Sequence, residues 1–210
     1  MSLHVGVIGA GQIGGAVATL LTAAGYPVLL SNSRAPETLR PQVEVLGPLA
    51  RAGSPAEAVE FGDVVFVAIP FGRYRSLPRS GWQGRVLVDT TNYFPGRDGR
   101  GPVAEGATSS EVLAAFVPEA RVVKAFNTLN YRYLHERGRP AGTPGRPALP
   151  LAGDHAGAKA TVAGLVDAAG FDPVDTGSLA EGGPRQQPES PIFNRPMTAE
   201  RLRAALGIPA

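Results

Sequence analysis

Hydrophobic residues recur along this chain in runs of four to seven, and helix-like or Gly/Pro-rich segments separate one run from the next. This alternation is typical of repeated β-α units that build a parallel sheet. The runs predict strands at residues 4–9, 26–31, 64–69, 85–89 and 121–126, with weaker strands at 48–52, 149–152 and 172–175. Helical patterns lie between them at 36–46, 54–61, 108–116 and 155–169. We therefore predict an α/β fold.

Polar residues that cap helices stand before three of the predicted helices. Ser54 precedes Pro55 and Glu57, which are good residues for the first and third helical positions. Asp154 is placed to cap the helix at 155–169, and Thr198 to cap a final short helix. In contrast, residues 138–147 have no apolar periodicity and are predicted to form a mobile surface loop, and residues 181–196 an irregular tail.

Composition narrows the class of protein. The 210 residues include no cysteine, which excludes disulfides, thiolate catalysis and cysteine metal sites. The first strand begins by residue 4, which leaves no room for a signal peptide, and the longest apolar run, 64–71, is too short to span a bilayer. The net charge is +2, and no basic run is interleaved with aromatic residues. We expect a cytoplasmic protein that binds neither membrane nor nucleic acid.

The first predicted strand runs directly into Gly9-Ala-Gly-Gln-Ile-Gly14, which then opens a helix. In a dinucleotide-binding fold the first glycine allows a tight turn, the second lets the backbone approach the pyrophosphate, and the third lets the helix pack on the strand. The helix N-terminus offers N–H groups to phosphate. The expected cofactor-binding residues here are Gly9, Gly11, Gln12, Ile13 and Gly14.

The end of the second strand predicts which dinucleotide binds. NAD-binding proteins usually carry an Asp or Glu there for the ribose 2′-hydroxyl, whereas an Arg accommodates a 2′-phosphate. This chain instead has Ser31, Asn32, Ser33 and Arg34. A guanidinium can pair with two phosphate oxygens, which a carboxylate would repel. We expect NADP(H) to be the cofactor.

Later strand ends supply the remaining candidate residues, because open α/β sheets bind ligands where their strands end. Asn92 and Asn127 are each suited either to hold a nicotinamide amide or substrate, or only to shape a turn or cap a helix. Lys124 and the histidines His4, His135 and His155 are interpreted as structural. The expected cofactor-side residues are Ala68, Ile69, Pro70, Asn92, Ala125, Phe126 and Asn127, with Phe126 and Asn127 as candidates beside the nicotinamide or acceptor.

Together these motifs resemble the NADPH-dependent coenzyme F420 reductases and their bacterial relatives. The matching segments include Val7-Ile-Gly-Ala-Gly-Gln-Ile-Gly-Gly15, Ser31-Asn-Ser-Arg34, Asp63-Val-Val-Phe-Val-Ala-Ile-Pro70, Asp89-Thr-Thr-Asn92, Lys124-Ala-Phe-Asn-Thr128 and Gly177-Ser-Leu-Ala180. The resemblance implies a Rossmann-like parallel sheet with helices on both faces, a small C-terminal extension and a homodimer. It places the 2′-phosphate at Ser31, Ser33 and Arg34.

The same resemblance implies a dinucleotide-binding domain at 1–148 and a C-terminal αβ extension at 149–210 that completes the acceptor cleft. The chain departs from the family pattern at Thr38, where some members have a basic residue, and at Asp154-His155, where an acidic pair is common. No metal site is expected. The small-molecule acceptor implied is the deazaflavin F420 or a flavin.

Three hypotheses for the function stay open. The first is hydride exchange between NADPH and a deazaflavin or flavin, since candidate acid–base residues are scarce and the cofactors carry such chemistry themselves. The second is reduction of a small imine or carbonyl, with Asn127 or Thr128 as weak candidates for the proton donor. The third is a non-catalytic NADP(H)-binding module.

Overall fold

A computed structural model describes residues 3–100, 103 and 107–209, so residues 1, 2 and 210 at the outer bounds of the two predicted domains lie outside it. Within this part of the chain, eight strands form one sheet in the order β3-β2-β1-β4-β5-β6-β7-β8. The strands are β1 (Val5–Ile8), β2 (Val28–Ser31), β3 (Ala50–Gly53), β4 (Val64–Val67), β5 (Val86–Asp89), β6 (Arg121–Ala125), β7 (Ala148–Gly153) and β8 (Asp172–Asp175).

Helices cover both faces of the sheet. They are α1 (Gln12–Ala23), α2 (Arg40–Leu46), α3 (Pro55–Phe61), α4 (Pro95–Asp98), α5 (Ser109–Phe116), α6 (Tyr131–Arg137), α7 (Ala156–Ala168), α8 (Leu179–Gly182) and α9 (Ala199–Leu206). Short 3₁₀ turns lie at Pro36–Leu39, Phe71–Ser76 and Pro184–Gln186. The α/β, Rossmann-like prediction is confirmed.

The sheet has a hydrophobic core on each face, because successive side chains of a strand point to opposite faces. On one face, Val64 and Phe66 of β4 pack with residues of α1, α6 and α7. On the other face, Val65 and Val67 pack with residues of α3, α5 and α8. Both faces of the sheet are therefore buried, as expected for parallel strands flanked by helices.

Among the described strands, the direction changes once, between β6 and β7. Strands β1 to β6 are parallel, β7 pairs with β6 in the antiparallel sense, and β8 is parallel to β7. Gly153 of β7 therefore lies level with Val123, whereas Leu151 lies level with Ala125. As a result, the residues that follow β7 lie toward the amino end of β6 and away from the edge where β6 ends.

Two of the three predicted helix caps are confirmed. Ser54 and Glu57 form a reciprocal capping box at α3, and the Thr198 hydroxyl accepts the Arg201 N–H at α9. The cap predicted at Asp154 is wrong. The N-cap of α7 is His155, whose Nδ1 accepts the Ala158 N–H at 3.2 Å. Asp154 instead accepts the Leu179 N–H at 2.9 Å and so ties the start of α8 to the end of β7.

The segment 138–147, predicted as a mobile surface loop, is anchored at its C-terminal end. The Arg146 side chain is only 4% exposed and forms ion pairs with Asp167 at 2.7 Å and Asp172 at 2.8 Å. Burial lowers the pKa of Arg146, but the hydrogen bonds that its guanidinium donates to both carboxylates outweigh burial and raise that pKa above its ordinary value. The guanidinium therefore stays charged and pins the loop to α7 and β8.

Candidate functional site

A cleft of about 430 Å³ lies where β1, β4, β5 and β6 end. This edge is where open parallel sheets bind ligands, and the volume falls in the range of small-molecule pockets. Seven of the sequence-predicted site residues line the cleft. They are Gln12, Ile13, Ala68, Ile69, Pro70, Asn92 and Asn127.

The turn between β1 and α1 requires glycine at two positions. Gly9 has φ +111°, which side chains rarely adopt, and a Cβ there would overlap the Ala68 carbonyl. A Cβ at Gly14 would overlap the carbonyl oxygen of Gly9. The turn is also held from β2, since the Gly9 N–H donates to the Ser31 carbonyl at 2.9 Å. These glycines set the path of the backbone into α1.

Gly11 has a different role. It is the N-cap of α1, it provides no side-chain cap, and the first turn of α1 has no acidic residue. A Cβ added to Gly11 would meet nothing within 4 Å among the described residues. The start of α1 therefore has room beside Gly11 and carries no acidic side chain, and such a helix terminus suits a phosphate group. The turn fits the pyrophosphate of a dinucleotide.

Ser31 differs from its predicted role. Its side chain is buried, and its hydroxyl donates to the Val7 carbonyl at 3.0 Å. Because Ser31 is the last residue of β2 and points into the sheet, its hydroxyl does not face a ligand. Ser31 holds the Gly9 turn through its carbonyl, which accepts the Gly9 N–H, and its hydroxyl is not available to a 2′-phosphate.

The loop after β2 presents Ser33 and Arg34, which are both exposed. Asn32 shapes this loop: its side-chain oxygen accepts the Arg34 N–H at 2.8 Å, and its amide donates to the Thr38 hydroxyl at 3.1 Å. Thr38, which stands where some family members have a basic residue, therefore supports the loop. A guanidinium and a hydroxyl on a folded loop without a carboxylate at 31–34 fit a 2′-phosphate.

A buried ion pair joins β5 and β6 close to the point where these strands end at the cleft. Lys124 and Asp89 are both fully buried, and their charged groups lie 3.3 Å apart. Asp89 also accepts the Ser110 hydroxyl at 2.6 Å and the Thr91 N–H at 2.8 Å, while Lys124 donates to the Thr91 carbonyl at 3.0 Å. This network fixes the ends of β5 and β6, which agrees with the structural interpretation of Lys124.

Phe126 and Ala125, both predicted as cofactor-side residues, do not present their side chains to the cleft. Phe126 is 1% exposed, and its ring packs edge-on against Phe66 at 5.4 Å. Ala125 is fully buried in the same core. Phe126 nevertheless matters, because its φ of +60° is left-handed and bends the chain where β6 ends. That bend carries Asn127 to the cleft.

Asn127 joins three segments at this edge. Its side-chain amide donates to the side-chain oxygen of Asn92 at 3.0 Å and to the Gln186 carbonyl at 2.8 Å. Asn92 returns a bond from its own amide to the Asn127 carbonyl at 2.9 Å. The predicted alternative, a helix cap, belongs to Asn130, whose side chain accepts two N–H groups of α6.

The tail at 181–196 forms one wall of the cleft. Besides the Gln186 contact, the Asn194 N–H donates to the Thr128 carbonyl, and Asn130 donates to the Asn194 side chain at 2.9 Å. These contacts bring Phe193 to the cleft. The family resemblance implies that the C-terminal extension completes the cleft, but sequence reasoning names no residue of this tail, because Pro and Gln residues carry no periodicity. The lining residues that it did not name are Thr90, Thr91, Phe94, Arg97, Leu129, Asn130, Tyr131, Phe193 and Asn194.

Only two side chains with ionisable groups, Arg97 and Tyr131, are among the described residues that line the cleft. Arg97 is held by Asp98 at 2.8 Å. Burial raises the pKa of Asp98, but hydrogen bonds from Arg97 and from the Phe94 and Gly72 N–H groups outweigh it and hold the pKa below its ordinary value. Asp98 therefore stays ionised and fixes Arg97 at the rim.

Other features of the described residues bear on the class of site. No group of three or more His, Asp or Glu side chains in this part of the chain is arranged to hold a metal ion. None of the helices in the described ranges is long and apolar enough to cross a membrane. His155, Asp154 and His4 lie outside the lining of the cleft.

Residues 4–93 match the family model described as "NADP oxidoreductase coenzyme F420-dependent". The match covers the first four strands, the glycine turn, the loop at 31–34 and β5. It therefore contains the predicted cofactor-binding residues from Gly9 to Asn92 and does not reach those at 125–127.

Two solved structures are similar over nearly the whole chain. The hypothetical protein SMa0349 of Sinorhizobium meliloti is 34% identical, with a TM-score of 0.81 over 94% of this chain and 96% of that one. A "putative f420 dependent nadp-reductase" from Arthrobacter sp. fb24 is 25% identical, with a TM-score of 0.75 over 99% of this chain and 96% of that one.

Among curated proteins, the metalloreductase STEAP3 of Rattus norvegicus is 33% identical over 178 residues, which are 84% of this chain and 34% of the rat protein. The chain thus spans only about a third of the length of that relative.

Proposed function

The chain belongs to the F420:NADP oxidoreductase-like family of NADP-dependent oxidoreductases, and we propose that it passes hydride between NADPH and a deazaflavin (F420) or flavin acceptor. The glycine turn would hold the pyrophosphate, the loop at 31–34 the 2′-phosphate, and the cleft the nicotinamide together with the acceptor. When bound, NADPH supplies the hydride.

The cofactor part of the proposal is supported by two independent surfaces. The uncapped start of α1 at Gly11 favours negative charge. The exposed Arg34 lies at the end of the neighbouring strand β2, which pairs in parallel with β1. Because both loops leave the same edge of the sheet, one ligand with a pyrophosphate and a ribose phosphate can use both. The chain thereby orients the cofactor with its nicotinamide toward β5 and β6.

The observation that carries the acceptor part is the chemical character of the cleft lining. Phe94, Tyr131 and Phe193 offer ring surfaces, and aromatic rings favour planar partners. Carboxylates, lysines and histidines do not occur among the described lining residues. Transfer between two ring systems needs close positioning more than a side-chain acid, because the cofactors carry the chemistry. The proton that the reduced acceptor takes up can come from water at the open rim.

A panel of acceptors tests the proposal. We would mix NADPH with F420, FMN, FAD or riboflavin and follow absorbance at 340 nm, with NADH as the matched control donor. We expect oxidation of NADPH with at least one acceptor and much slower oxidation of NADH. If no acceptor oxidises NADPH although NADPH binds tightly, the protein is a non-catalytic NADP(H)-binding module.

Tyr131 supports a second candidate, reduction of a small imine or carbonyl, because its phenol can donate a proton and lies in the cleft lining. Thr128, considered for that role from sequence, is buried, and the Asn127 amide hydrogens are already bonded. Turnover of an imine acid with NADPH in the absence of any flavin, abolished in Tyr131→Phe, would favour this candidate. Turnover only with flavin-type acceptors would exclude it.

We further propose that the protein is a homodimer and works in the cytoplasm. The dimer rests on the family resemblance, and the cytoplasmic location rests on the sequence, which has no cysteine and so fits a reducing compartment. Sedimentation velocity at micromolar concentration would give the oligomeric state, with a single species near 22 kDa contradicting the dimer, since one chain has a mass of 21.7 kDa.

A further inference from the structure

Two polar atoms in the lining residues of the cleft are buried and have no hydrogen-bond partner among the described residues. They are the side-chain oxygen of Asn127 and the hydroxyl of Thr91. Buried polar groups in folded proteins are nearly always paired, because leaving one unpaired is destabilising. Two such atoms in residues that line one cleft indicate groups that a ligand would complete.

The orientation of the Asn127 amide is fixed by its other bonds. Its nitrogen donates to Asn92 and to the Gln186 carbonyl, so both amide hydrogens are used. Turning the amide over would place its oxygen against these two acceptor oxygens and lose both bonds. The Asn127 side-chain oxygen therefore remains as an acceptor with no donor.

Thr91 lies beside it on the neighbouring strand end. Strands β5 and β6 pair Asp89 with Lys124, and Asn92, the residue after Thr91, exchanges two hydrogen bonds with Asn127, so Thr91 and Asn127 lie close together. The Thr91 N–H and carbonyl are both occupied, by Asp89 and Lys124, which leaves its hydroxyl available as a donor. An acceptor from Asn127 and a donor from Thr91 complement a group that carries an N–H next to a C=O.

We propose that Asn127 and Thr91 form a specificity element that recognises an amide edge, an N–H group beside a carbonyl. The proposal rests on the proposed function, in which nicotinamide and a planar acceptor meet in this cleft. Two ligands of that function have such an edge: the carboxamide of the nicotinamide and the pyrimidine ring of a flavin or deazaflavin. Asn127 would accept the N–H, and Thr91 would donate to the carbonyl.

Ligand analogues that lack only the N–H group test this recognition. The 3-acetylpyridine analogue of NADPH keeps the carbonyl and has a methyl group in place of the amide nitrogen. N3-methylriboflavin keeps both pyrimidine carbonyls and lacks the N–H. Binding would be followed by fluorescence titration. One titration compares NADPH with its analogue in the absence of any flavin, and the other compares riboflavin with its analogue in the presence of NADP⁺.

We expect the wild-type protein to bind one of the two analogues about tenfold more weakly than its parent, as for the loss of one partner of a buried hydrogen bond. Weaker binding of the NADPH analogue than of NADPH would identify the carboxamide as the partner. Weaker binding of the flavin analogue than of riboflavin would identify the pyrimidine edge as the partner. In Asn127→Ala the discrimination should disappear. In the matched variant Thr91→Val it should persist, because the analogues keep the carbonyl that Thr91 reads.

Equal binding of parent and analogue by the wild-type protein, in both pairs, would overturn the proposal even if Asn127→Ala does not fold. Discrimination that survives in Asn127→Ala would overturn it as well. These measurements need no turnover, so they are separate from the acceptor panel. A protein that reads the nicotinamide carboxamide but oxidises NADPH with no acceptor would keep this inference and lose the proposed reaction.

Discussion

Gly11 and Gly14 belong to one sequence motif, but the structure predicts that alanine acts differently at each. At Gly11 an added Cβ meets nothing within 4 Å, and the backbone has φ −78°, which alanine adopts readily. The cost to folding is then limited to the poorer N-cap preference of alanine, about 0.5–1 kcal/mol. The methyl group would, however, stand in the open space at the start of α1 where a phosphate would lie.

The loss of affinity in Gly11→Ala should therefore exceed the loss of stability. Displacing the pyrophosphate from one charge-assisted hydrogen bond costs about 1.5–3 kcal/mol, which raises the Kd for NADPH by about 10- to 150-fold. Gly14→Ala should instead lower the stability of the free protein, because its Cβ overlaps the Gly9 carbonyl oxygen. Overpacking of this kind costs about 1–3 kcal/mol or more.

Two measurements on each variant separate these effects. Urea unfolding without ligand gives the free energy of unfolding, and NADPH fluorescence gives the Kd. We expect Gly11→Ala to unfold within about 1 kcal/mol of the wild type and to bind NADPH poorly. A Gly11→Ala protein that binds NADPH as tightly as the wild type would refute the assignment of the pyrophosphate to this turn.

Three further predictions concern charged side chains. Arg34→Ala should weaken NADPH binding by about 1.5–3 kcal/mol and leave NADH binding unchanged in the same titration; an equal loss for both would mean that Arg34 does not read the 2′-phosphate. Arg146→Ala should lower the free energy of unfolding by about 2–3 kcal/mol. The loss should be smaller than for a fully buried ion pair, because Asp167 is 54% exposed and can be hydrated once the guanidinium is gone. Unchanged urea unfolding would contradict this prediction. Because the pKa of Asp98 is lowered in the folded protein, its contribution is present above pH of about 4 and is lost as the pH falls through that lowered pKa. Asp98→Asn should then be less stable than the wild type at pH 7 and match it in acid, and a stability difference independent of pH would refute the role of the Arg97 pair.

The sequence predicts well wherever a local pattern decides the structure. The apolar runs locate all eight strands of the described sheet, and the capping residues Ser54 and Thr198 mark real helix starts. The glycine motif works for the same reason, because the left-handed φ at Gly9 and the close approach at Gly14 are requirements of the backbone itself. These features depend on residues only a few positions apart.

Prediction fails where side-chain direction depends on distant contacts. Ser31 lies at the expected strand end, but the sheet turns its hydroxyl inward to Val7. Phe126 lies at the expected place as well, but its left-handed backbone sends the ring into the core and gives the cleft to Asn127. The wall around Phe193 depends on hydrogen bonds that span more than fifty residues, and no local pattern reports them.

Transfer of a labelled hydride tests the central claim most directly. NADPH carrying deuterium at the transferred position of C4 would be mixed with F420 and the protein, and the product examined by mass spectrometry and NMR. We expect one deuterium on the ring carbon C5 of reduced F420, since both rings would lie together in a cleft that needs no relay through a side chain. Reduced F420 without deuterium, or no reduction of any flavin-type acceptor, would contradict the account.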